Sequence, residues 1–329
     1  MALYLVTGGA GFIGSHLADS LLAAGHDVRV LDDFSTGKVE NLDHRCDIVR
    51  GDAADPAIVG QAFAGIAGCF HLAAVASVQR GNEAWFETHR ANQSATVAIL
   101  EAAAKAGQIP VVYASSAAIY GNIGDQIATE ALRPAPQTAY GADKYGSELH
   151  AAIGFTVHHV PSVGLRFFNV YGPRQDPKSP YSGVISIFAG RLAAGHGLTV
   201  HGDGGQTRDF VYVADVVRHL RAAMGALHSH PVAEVVNVCT GRATSVLDLA
   251  HILSALQGNG GAVSHGAARV GDIRQSLGDP AKAIALLGVV AEMRLREGLA
   301  LTLESLCRAE PPHPGPRPEE ERAAPSSLG

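Results

Sequence analysis

Three residues in the middle of the chain, Ser116, Tyr140 and Lys144, have the types and spacing of an acid–base site. Tyr140 and Lys144 are four positions apart in a segment expected to open a helix, so both side chains would share one face. A tyrosine has a pKa of about 10 and needs a neighbouring cation to act as a base near neutral pH. The Lys144 ammonium is placed to favour the phenolate. Ser116 follows a β-rich run, and its hydroxyl can bond the same substrate oxygen as Tyr140.

A glycine-rich turn near the start of the chain is suited to a pyrophosphate. Gly8, Gly11 and Gly14 follow a short apolar run and precede a helical pattern. They leave no Cβ where the chain reverses, where phosphate approaches and where helix meets strand. The start of the helix adds free backbone N–H groups and a positive helix end. This order of strand, turn and helix predicts a dinucleotide site.

Asp32 follows the second β-rich run and favours NAD over NADP. Its carboxylate can accept both ribose hydroxyls of adenosine and would repel a 2′-phosphate. Residues 33–36, Asp-Phe-Ser-Thr, supply no arginine to offset that repulsion. The sequence therefore predicts NAD as the cofactor.

β-rich runs alternate with helical patterns through most of the chain. The runs are residues 2–7, 27–31, 46–50, 69–72, 111–114, 162–167 and 234–238. This alternation predicts an α/β fold with a doubly wound parallel sheet of the Rossmann type. The rhythm breaks after Tyr171 and again after Thr240, which predicts a smaller C-terminal α/β substrate domain over the cofactor.

The same breaks suggest a division into domains. We expect residues 1–171 and 209–240 to form the NAD-binding domain and residues 172–208 and 241–309 to bind substrate. Residues 310–329 carry five prolines between positions 311 and 318, followed by three glutamates, which predicts a disordered tail.

Composition argues against several kinds of partner. A chain of 329 residues, 47% apolar and 17% charged, can bury a large core. Its net charge of −6 gives no general attraction to nucleic acid or to an anionic membrane. Residues 56–79 carry no formal charge but are interrupted by proline and glycine, so we expect a short helix and a buried strand there instead of a membrane span.

Cysteine and histidine spacing predicts neither disulfides nor a metal site. The four cysteines are widely spaced, and the glycine turn follows Met1 almost at once, so we expect reduced thiols in a cytoplasmic protein. His228 and His230, which we place in a loop before Pro231, have no further ligand nearby.

The chain resembles the extended short-chain dehydrogenase/reductase family, and within it the nucleotide-sugar 4-epimerases related to UDP-galactose 4-epimerase. The resemblance covers roughly residues 1–308. Its motifs are the turn at residues 8–14, Ser116 with Tyr120-Gly121, Tyr140 with Lys144, and the segments 166–174 and 202–210.

The resemblance implies tightly bound NAD, with Asp52 and Ala53 beside adenine, residues 71–74 under the cofactor and Lys144 on the nicotinamide ribose. The expected cofactor contacts are Gly8, Gly11, Phe12, Ile13, Gly14, Asp32, Asp33, Ser35, Thr36, Gly37, Asp52, Ala53, Leu72, Ala73, Ala74, Asn92, Tyr140 and Lys144. By the same likeness, Tyr140 and Ser116 handle the sugar 4-OH while NAD takes the C4 hydride. The resulting 4-keto sugar would rotate and be reduced from its other face.

Four further residues match positions that bind the sugar nucleotide in this family. Arg208 and Arg269 match ligands of the nucleotide phosphates, and Asn169 matches a contact to the bound sugar nucleotide. Ser276 falls where related epimerases gate the C2 substituent of the sugar. A small side chain there favours UDP-N-acetylglucosamine and UDP-N-acetylgalactosamine, while UDP-glucose and UDP-galactose stay open.

Several alternatives remain at this point. Ala117 and Ala118 stand where similar 4,6-dehydratases carry acidic groups, and Ala118 where UDP-glucuronate decarboxylases usually carry glutamate, which argues against both reactions. Epimerisation of UDP-glucuronate, or another nucleotide-sugar oxidoreduction, needs the same serine, tyrosine and lysine. A non-catalytic NAD-binding regulator would typically lack the Tyr140 and Lys144 pair.

The resemblance also suggests a homodimer. The expected interface uses two helices of each subunit, at residues 83–107 and 140–153.

Overall fold

A seven-stranded parallel sheet forms the centre of the computed structural model, which describes residues 1–177, 183–258, 262–268 and 273–308. Its strands are β1 (Leu3–Thr7), β2 (Asp27–Asp32), β3 (Asp47–Arg50), β4 (Gly68–His71), β5 (Val111–Ser116), β6 (Ser162–Phe167) and, after three strands of other sheets, β10 (Ala233–Val238). The order across the sheet is β10-β6-β5-β4-β1-β2-β3. Reversal of strand order beside β1 is the arrangement of a doubly wound Rossmann fold, so the predicted fold class is confirmed.

The remaining strands form two smaller sheets. They are β7 (Asn169–Tyr171), β8 (Leu198–His201), β9 (Thr207–Tyr212), β11 (Ala243–Ser245), β12 (Val263–Gly266) and β13 (Gln275–Ser276). In one sheet β9 pairs with β11, β13 and β7, and in the other β12 pairs with β8.

Helices cover both faces of the large sheet and pack around the smaller ones. They are α1 (Phe12–Ala23), α2 (Pro56–Ala62), α3 (Val78–Glu83), α4 (Trp85–His89), α5 (Ala95–Lys105), α6 (Ala139–His158), α7 (Val184–Ala193), α8 (Val213–Ser229), α9 (Val246–Gln257), α10 (Ala281–Leu287) and α11 (Leu295–Arg308). Short 3-10 helices occupy Val39–Asn41 and Ala117–Tyr120, and a π-helical turn at Arg90–Ser94 joins α4 to α5.

Successive residues of the central strands enter different cores, which explains their nearly continuous apolar sequence. Val6 and Val112 pack on the side of α1 and α8, whereas Leu5 and Val111 pack on the side of α2 and α5. A third core lies among the later elements, around Phe188 and neighbouring apolar residues. The sheet is therefore held between two helical layers.

The sequence-based boundaries agree with the structure to within a few residues, with some differences. β5 extends to Ser116, so the predicted site serine is the last residue of the strand. The helix expected at residues 83–107 is divided by the π-helical turn, and the helix expected at 140–153 runs from Ala139 to His158. The apolar stretch 56–79 contains α2 and β4, as predicted.

The division into two domains stays a prediction. β10 completes the large sheet after the excursion through β7, β8 and β9, and the expected boundary between residues 208 and 209 falls inside β9. Residues 310–329, expected to be disordered, lie outside the described residues.

One histidine prediction was wrong. His228 lies in the last turn of α8, because the amphipathic pattern of that helix continues to Ser229, and not in a loop. Cys46, Cys69 and Cys239 are buried and free, as expected. None of the described helices is long and apolar enough to cross a membrane.

Candidate active site

The glycine turn between β1 and α1 forms a cradle with little room for side chains. Gly8 has φ +66°, and a Cβ added there would lie 2.7 Å from the backbone nitrogen of Ala73. A Cβ on Gly14 would lie 2.2 Å from the carbonyl oxygen of Gly8. Gly11 is the N-cap of α1 and provides no side-chain cap, so the first turn, with Phe12 and Ile13, keeps backbone N–H groups for a phosphate.

Asp32 ends β2 directly beside this cradle. Its side chain is buried, and it accepts hydrogen bonds from the backbone nitrogens of Ala10 at 2.9 Å and Phe34 at 2.8 Å. Burial raises the pKa of Asp32, and the two hydrogen bonds act in the opposite direction. The carboxylate is thus held at the predicted adenosine ribose position by the backbone around it.

The loop after Asp32 folds back over this carboxylate. A Cβ on Gly37 would approach Asp32 Oδ1 to 2.9 Å. Asp33 Oδ1 accepts hydrogen bonds from the backbone nitrogen and the hydroxyl of Ser35, at 2.9 and 2.7 Å. Thr36 lies in the same loop and is exposed. These residues stay predicted cofactor contacts.

An arginine that the sequence reasoning missed lies next to Asp32. Arg50 pairs with Asp32 in the register of β2 and β3, and its guanidinium lies 5.2 Å from the centre of the Phe34 ring. Residues 33–36 do not reveal Arg50, because its position beside Asp32 depends on the pairing of β2 with β3.

Asp52 and Ala53 follow β3, at the position predicted for adenine. Ala53 is buried, and Asp52 Oδ1 accepts a hydrogen bond from the backbone nitrogen of Ala54 at 2.8 Å. Asp52 Oδ2 pairs with the guanidinium of Arg90 from the π-helical turn. Arg90 is a second residue that sequence reasoning missed.

The segment 71–74 closes the floor of the cradle through a buried hydrogen-bond chain. His71 Nδ1 lies 2.8 Å from Thr7 Oγ1, and His71 Nε2 lies 3.2 Å from Thr96 Oγ1. Thr96 donates to the carbonyl oxygen of Asn92 at 2.8 Å, so it must accept from His71, which assigns the proton to Nε2. Burial, aided by the charge of Lys144, lowers the pKa of His71 to about 3. His71 is therefore neutral.

Hydrogen bonds hold Leu72 and Ala73 against β1, and Val75, the residue after Ala74, against the π-helical turn. Leu72 and Ala73 donate backbone N–H groups to Thr7, at 3.1 Å to its carbonyl and 3.2 Å to its hydroxyl. Just beyond Ala74, the buried Asn92 side chain accepts from the nitrogen of Val75 at 2.7 Å. The predicted role of Asn92 at the cofactor would therefore include holding this segment.

Ser116 and Tyr140 meet at the carboxyl edge of the sheet. Ser116 Oγ accepts a hydrogen bond from the nitrogen of Ala118 at 3.1 Å and also bonds the phenol of Tyr140. The hydroxyl of Thr138 caps α6 by accepting from the nitrogen of Gly141 at 3.0 Å, which puts Tyr140 in the first helical turn. The structure thus brings the predicted acid–base pair together.

Lys144 lies one turn further along α6 and is almost fully buried. Its Nζ donates to the carbonyl oxygen of Ala114 at 2.8 Å and lies 5.9 Å from the centre of the Tyr140 ring. Burial lowers the pKa of Lys144 to about 8.

The expected effect of Lys144 on the pKa of Tyr140 stays a prediction. Burial raises the pKa of the Tyr140 phenol, and the opposing influence is the hydrogen bond with Ser116. The Lys144 ammonium lies over the Tyr140 ring and donates to the carbonyl oxygen of Ala114.

Three of the four predicted substrate residues lie on one small sheet. Arg208 of β9 is paired with Ser276 of β13, and Asn169 of β7 is paired with Phe210 of β9. Arg208 donates to the carbonyl oxygens of Thr207 at 2.8 Å and Ile273 at 2.7 Å. Arg269 lies outside the described residues. Within the described ranges, no group of three or more His, Cys, Asp or Glu is arranged to hold a metal ion.

Comparison with known proteins places the chain in a family. Residues 4–239 match the NAD dependent epimerase/dehydratase family. The chain is 36% identical over 307 residues to the UDP-glucose 4-epimerase of Mycolicibacterium smegmatis, covering 91% of this chain and 97% of that protein.

Two solved structures resemble it over most of their length. The UDP-glucose 4-epimerase of Thermotoga maritima, determined with UDP-glucose, has a TM-score of 0.88 and 37% identity, and the match covers 92% of this chain and 98% of the other. The UDP-N-acetylglucosamine 4-epimerase of Methanobrevibacter ruminantium, in complex with UDP-N-acetylmuramic acid, has a TM-score of 0.87 and 30% identity, with 92% and 97% covered.

The protein belongs to the NAD dependent epimerase/dehydratase family. It is an NAD-dependent epimerase, as predicted from its motifs. The residues present fit the cofactor, because the Gly8 and Gly14 cradle has no room for a Cβ and the adjoining helix end has no side-chain cap. Asp32 lies beside it, at the position predicted for the adenosine ribose.

Proposed function

We propose that this protein interconverts C4 epimers of a UDP-hexose, with UDP-N-acetylglucosamine and UDP-N-acetylgalactosamine as the preferred pair and UDP-glucose and UDP-galactose as further substrates. The observation that carries the proposal is the approach of Ser116, the last residue of β5, to the phenol of Tyr140 in the first turn of α6. This pair can hold one hydroxyl of a sugar and move its proton.

Each residue of the pair has a separate task. Tyr140, as the phenolate, takes the proton of the sugar 4-OH and later returns it as the phenol, while the Ser116 hydroxyl bonds the same oxygen and opposes the rise that burial causes in the pKa of Tyr140. When bound, NAD supplies the acceptor and donor of the C4 hydride. Lys144, anchored on Ala114, contributes positive charge below pH about 8.

The small sheet supports a sugar nucleotide as substrate. A guanidinium binds a diphosphate with a forked set of donors, and we assign this task to Arg208 with Arg269. Asn169 would contact the bound sugar nucleotide. Ser276 is partly buried beside Arg208 and leaves space for the acetamido group at C2 of the sugar.

A direct assay tests the proposal. The purified protein, without added NAD, is incubated separately with UDP-N-acetylglucosamine, UDP-glucose and UDP-glucuronate, and C4 epimers are resolved by proton NMR. Conversion of the acetylated sugar is expected. Conversion of UDP-glucose alone would keep the reaction and remove the preference, whereas conversion of UDP-glucuronate alone would favour the uronate alternative.

Tyr140→Phe separates chemistry from cofactor binding. Loss of the Tyr140 hydroxyl should lower kcat by about 10²- to 10⁴-fold, which is the usual contribution of a positioned acid–base group, and NAD should stay bound. Tyr145→Phe is a matched control, because it makes the same change on α6 at a partly buried residue that packs against the apolar cluster of Ile119 and Phe168. Full activity of Tyr140→Phe would refute the acid–base assignment.

We also propose that the protein is a homodimer. A row of exposed apolar side chains, Leu149, Ile153 and Val157, runs along α6, and Val97 is exposed on the adjoining α5. A four-residue spacing puts the α6 side chains on one face, which is suited to a second copy of the same face. The cytoplasmic location stays a prediction.

The dimer is tested by light scattering after gel filtration. Ile153→Glu should convert the dimer to a monomer, because a carboxylate would be buried in an apolar interface. Ile284→Glu on α10 is the control, since Ile284 is similarly exposed at 47% compared with 54% for Ile153. A wild-type monomer, or an Ile153→Glu dimer, would refute this interface.

A further inference from the structure

A buried polar cluster lies directly behind the candidate acid–base pair. We define it as Ser115, Tyr120, Glu148, Arg166 and Asn237, all at most 7% exposed. None of these side chains is expected to contact the sugar or the cofactor. A charged cluster in the interior requires nearly complete hydrogen bonding, and this one has it.

One half of the cluster fixes the elements that carry the acid–base residues. Arg166 Nε and Nη2 donate to the two carboxylate oxygens of Glu148, at 2.9 and 2.7 Å. Ser115 donates to Glu148 Oε1 at 2.5 Å. Glu148 follows Lys144 by one turn of α6, and Ser115 precedes Ser116 on β5. The two hydrogen bonds from Arg166 to Glu148, together with that from Ser115, therefore set the position of α6 against the end of β5.

The other half reaches the segment after Ser276. Asn237 Nδ2 donates to the carbonyl oxygen of Ala128 at 2.8 Å. Ala128 pairs with residues 277–279, because its nitrogen donates to Leu277 at 2.8 Å and its carbonyl accepts from Asp279 at 2.9 Å. Ser276 is the residue immediately before this pairing.

The phenol of Tyr120 joins the two halves through one oxygen atom. It accepts from Arg166 Nη1 at 2.9 Å and donates to Asn237 Oδ1 at 2.6 Å. Gly121, which ends the 3-10 helix of Tyr120, packs so closely that a Cβ would lie 2.1 Å from the carbonyl oxygen of Ala135. The ring is thus held at both its hydroxyl and its backbone.

We propose that Tyr120 is a positioning residue: its hydroxyl sets the distance between the acid–base end of α6 and the strand segment that carries Ser276. This inference rests on the proposed function for its kinetic consequence. The sugar C4 must meet Tyr140 while its C2 substituent lies at Ser276, so both ends of the hexose depend on the same buried link. A misplacement of about 1 Å can cost about 100-fold in rate.

Tyr120→Phe removes only the shared oxygen. The ring keeps its place beside Phe168, at 6.4 Å between centres, and beneath the Arg166 guanidinium at 5.0 Å. The matched control is Tyr171→Phe, which also removes a buried phenol, bonded to the carbonyl oxygen of Leu295 at 3.4 Å outside the cluster. Tyr120→Phe loses two hydrogen bonds and Tyr171→Phe loses one, but only the first variant cuts the link.

The kinetic experiment uses the NAD-loaded protein. Tyr120→Phe should lower kcat by about 10- to 100-fold, with KM within about twofold and with unchanged NAD content. Tyr171→Phe should retain kcat. In a Ser116→Ala background, Tyr120→Phe should lower kcat by a smaller factor. Tyr120 aligns the acid–base pair, and that pair is already incomplete without the Ser116 hydroxyl. An unchanged kcat in Tyr120→Phe, or an equal loss in both backgrounds, would overturn the proposal.

A second measurement does not depend on turnover. Hydrogen exchange of the same proteins should increase at both 139–148 and 277–279 in Tyr120→Phe, but not in Tyr171→Phe. Unchanged exchange at either segment would overturn the inference. If the wild-type protein epimerises no UDP-sugar while exchange rises at both segments, the proposed function fails and the positioning role of Tyr120 stands.

Discussion

Replacing Lys144 by methionine should stabilise the protein at neutral pH while removing its activity. Burial lowers the pKa of Lys144 from its usual 10.5 to about 8. The charged ammonium, taken out of water, therefore lowers the free energy of unfolding. At about 1.4 kcal/mol per pH unit, this difference corresponds to about 3 kcal/mol. The variant also loses the hydrogen bond to the carbonyl of Ala114, which contributes about 1 kcal/mol. The expected net gain in unfolding free energy is about 2 kcal/mol.

The sign of the pH dependence follows from the lowered pKa. Below pH about 8, Lys144 is charged in both the folded and the unfolded protein, so the wild type carries the whole cost. Between pH about 8 and 10.5, the unfolded chain binds the proton and the folded protein does not, so wild-type stability rises with pH relative to the methionine variant. The advantage of the variant should therefore shrink by about 1.4 kcal/mol per pH unit across this range.

Urea unfolding of nucleotide-free wild type and Lys144→Met, at several pH values from 7 to 10, measures both effects. Lys105→Met is the control, because Lys105 is exposed and its ion pair with Glu101 lies on the surface of α5. The reasoning fails if Lys144→Met is less stable than wild type at pH 7. It also fails if the difference between the two proteins stays constant between pH 8 and 10.

Three other substitutions test separate parts of the structure. Ser276→Tyr should remove turnover of UDP-N-acetylglucosamine while retaining that of UDP-glucose, measured by NMR, and equal turnover of both would contradict the gating role. Glu148→Gln leaves the buried charge of Arg166 unpaired and should lower the unfolding free energy by about 3–5 kcal/mol, whereas Glu148→Gln with Arg166→Met should recover part of it in urea titrations. Gly14→Ala places a Cβ 2.2 Å from the carbonyl of Gly8 and should abolish retention of NAD, measured by chromatography after acid release.

The fold was largely predictable because its signals are local. The apolar runs of β1, β4 and β6 and the glycine turn between β1 and α1 define alternating strands and helices without knowledge of the whole. The π-helical turn at Arg90–Ser94 was not predictable, because its residues, Arg-Ala-Asn-Gln-Ser, include no proline or glycine that would mark an irregular turn. The error at His228 has a similar origin, since Pro231 suggests a loop while the packing of α8 extends the helix to Ser229.

The site was predictable where its residues come from short motifs and less so where it depends on pairing between strands. Ser116 and Tyr140 meet as expected, because the strand end and the helix start each have a clear signal. Arg50 comes to Asp32 only through the register of β2 with β3. Helical spacing predicts that Tyr140 and Lys144 share a face, but it does not predict the direction of the long Lys144 side chain, which lies over the ring and donates to Ala114.

The π-helical turn at Arg90–Ser94 also determines how this region can change in length. A π turn contains one residue more than an α turn, and removing it would rotate the following helix by about 100°. After such a deletion, Asn92 could keep its hydrogen bonds to Val75 only if Ile99 left its place in the core. Ile99 could keep its place only if Asn92 lost those bonds. A single-residue deletion within 90–94 would change the phase of all of α5. Chain length at this point is therefore constrained by the packing of α5, in addition to the contacts that Arg90 and Asn92 make.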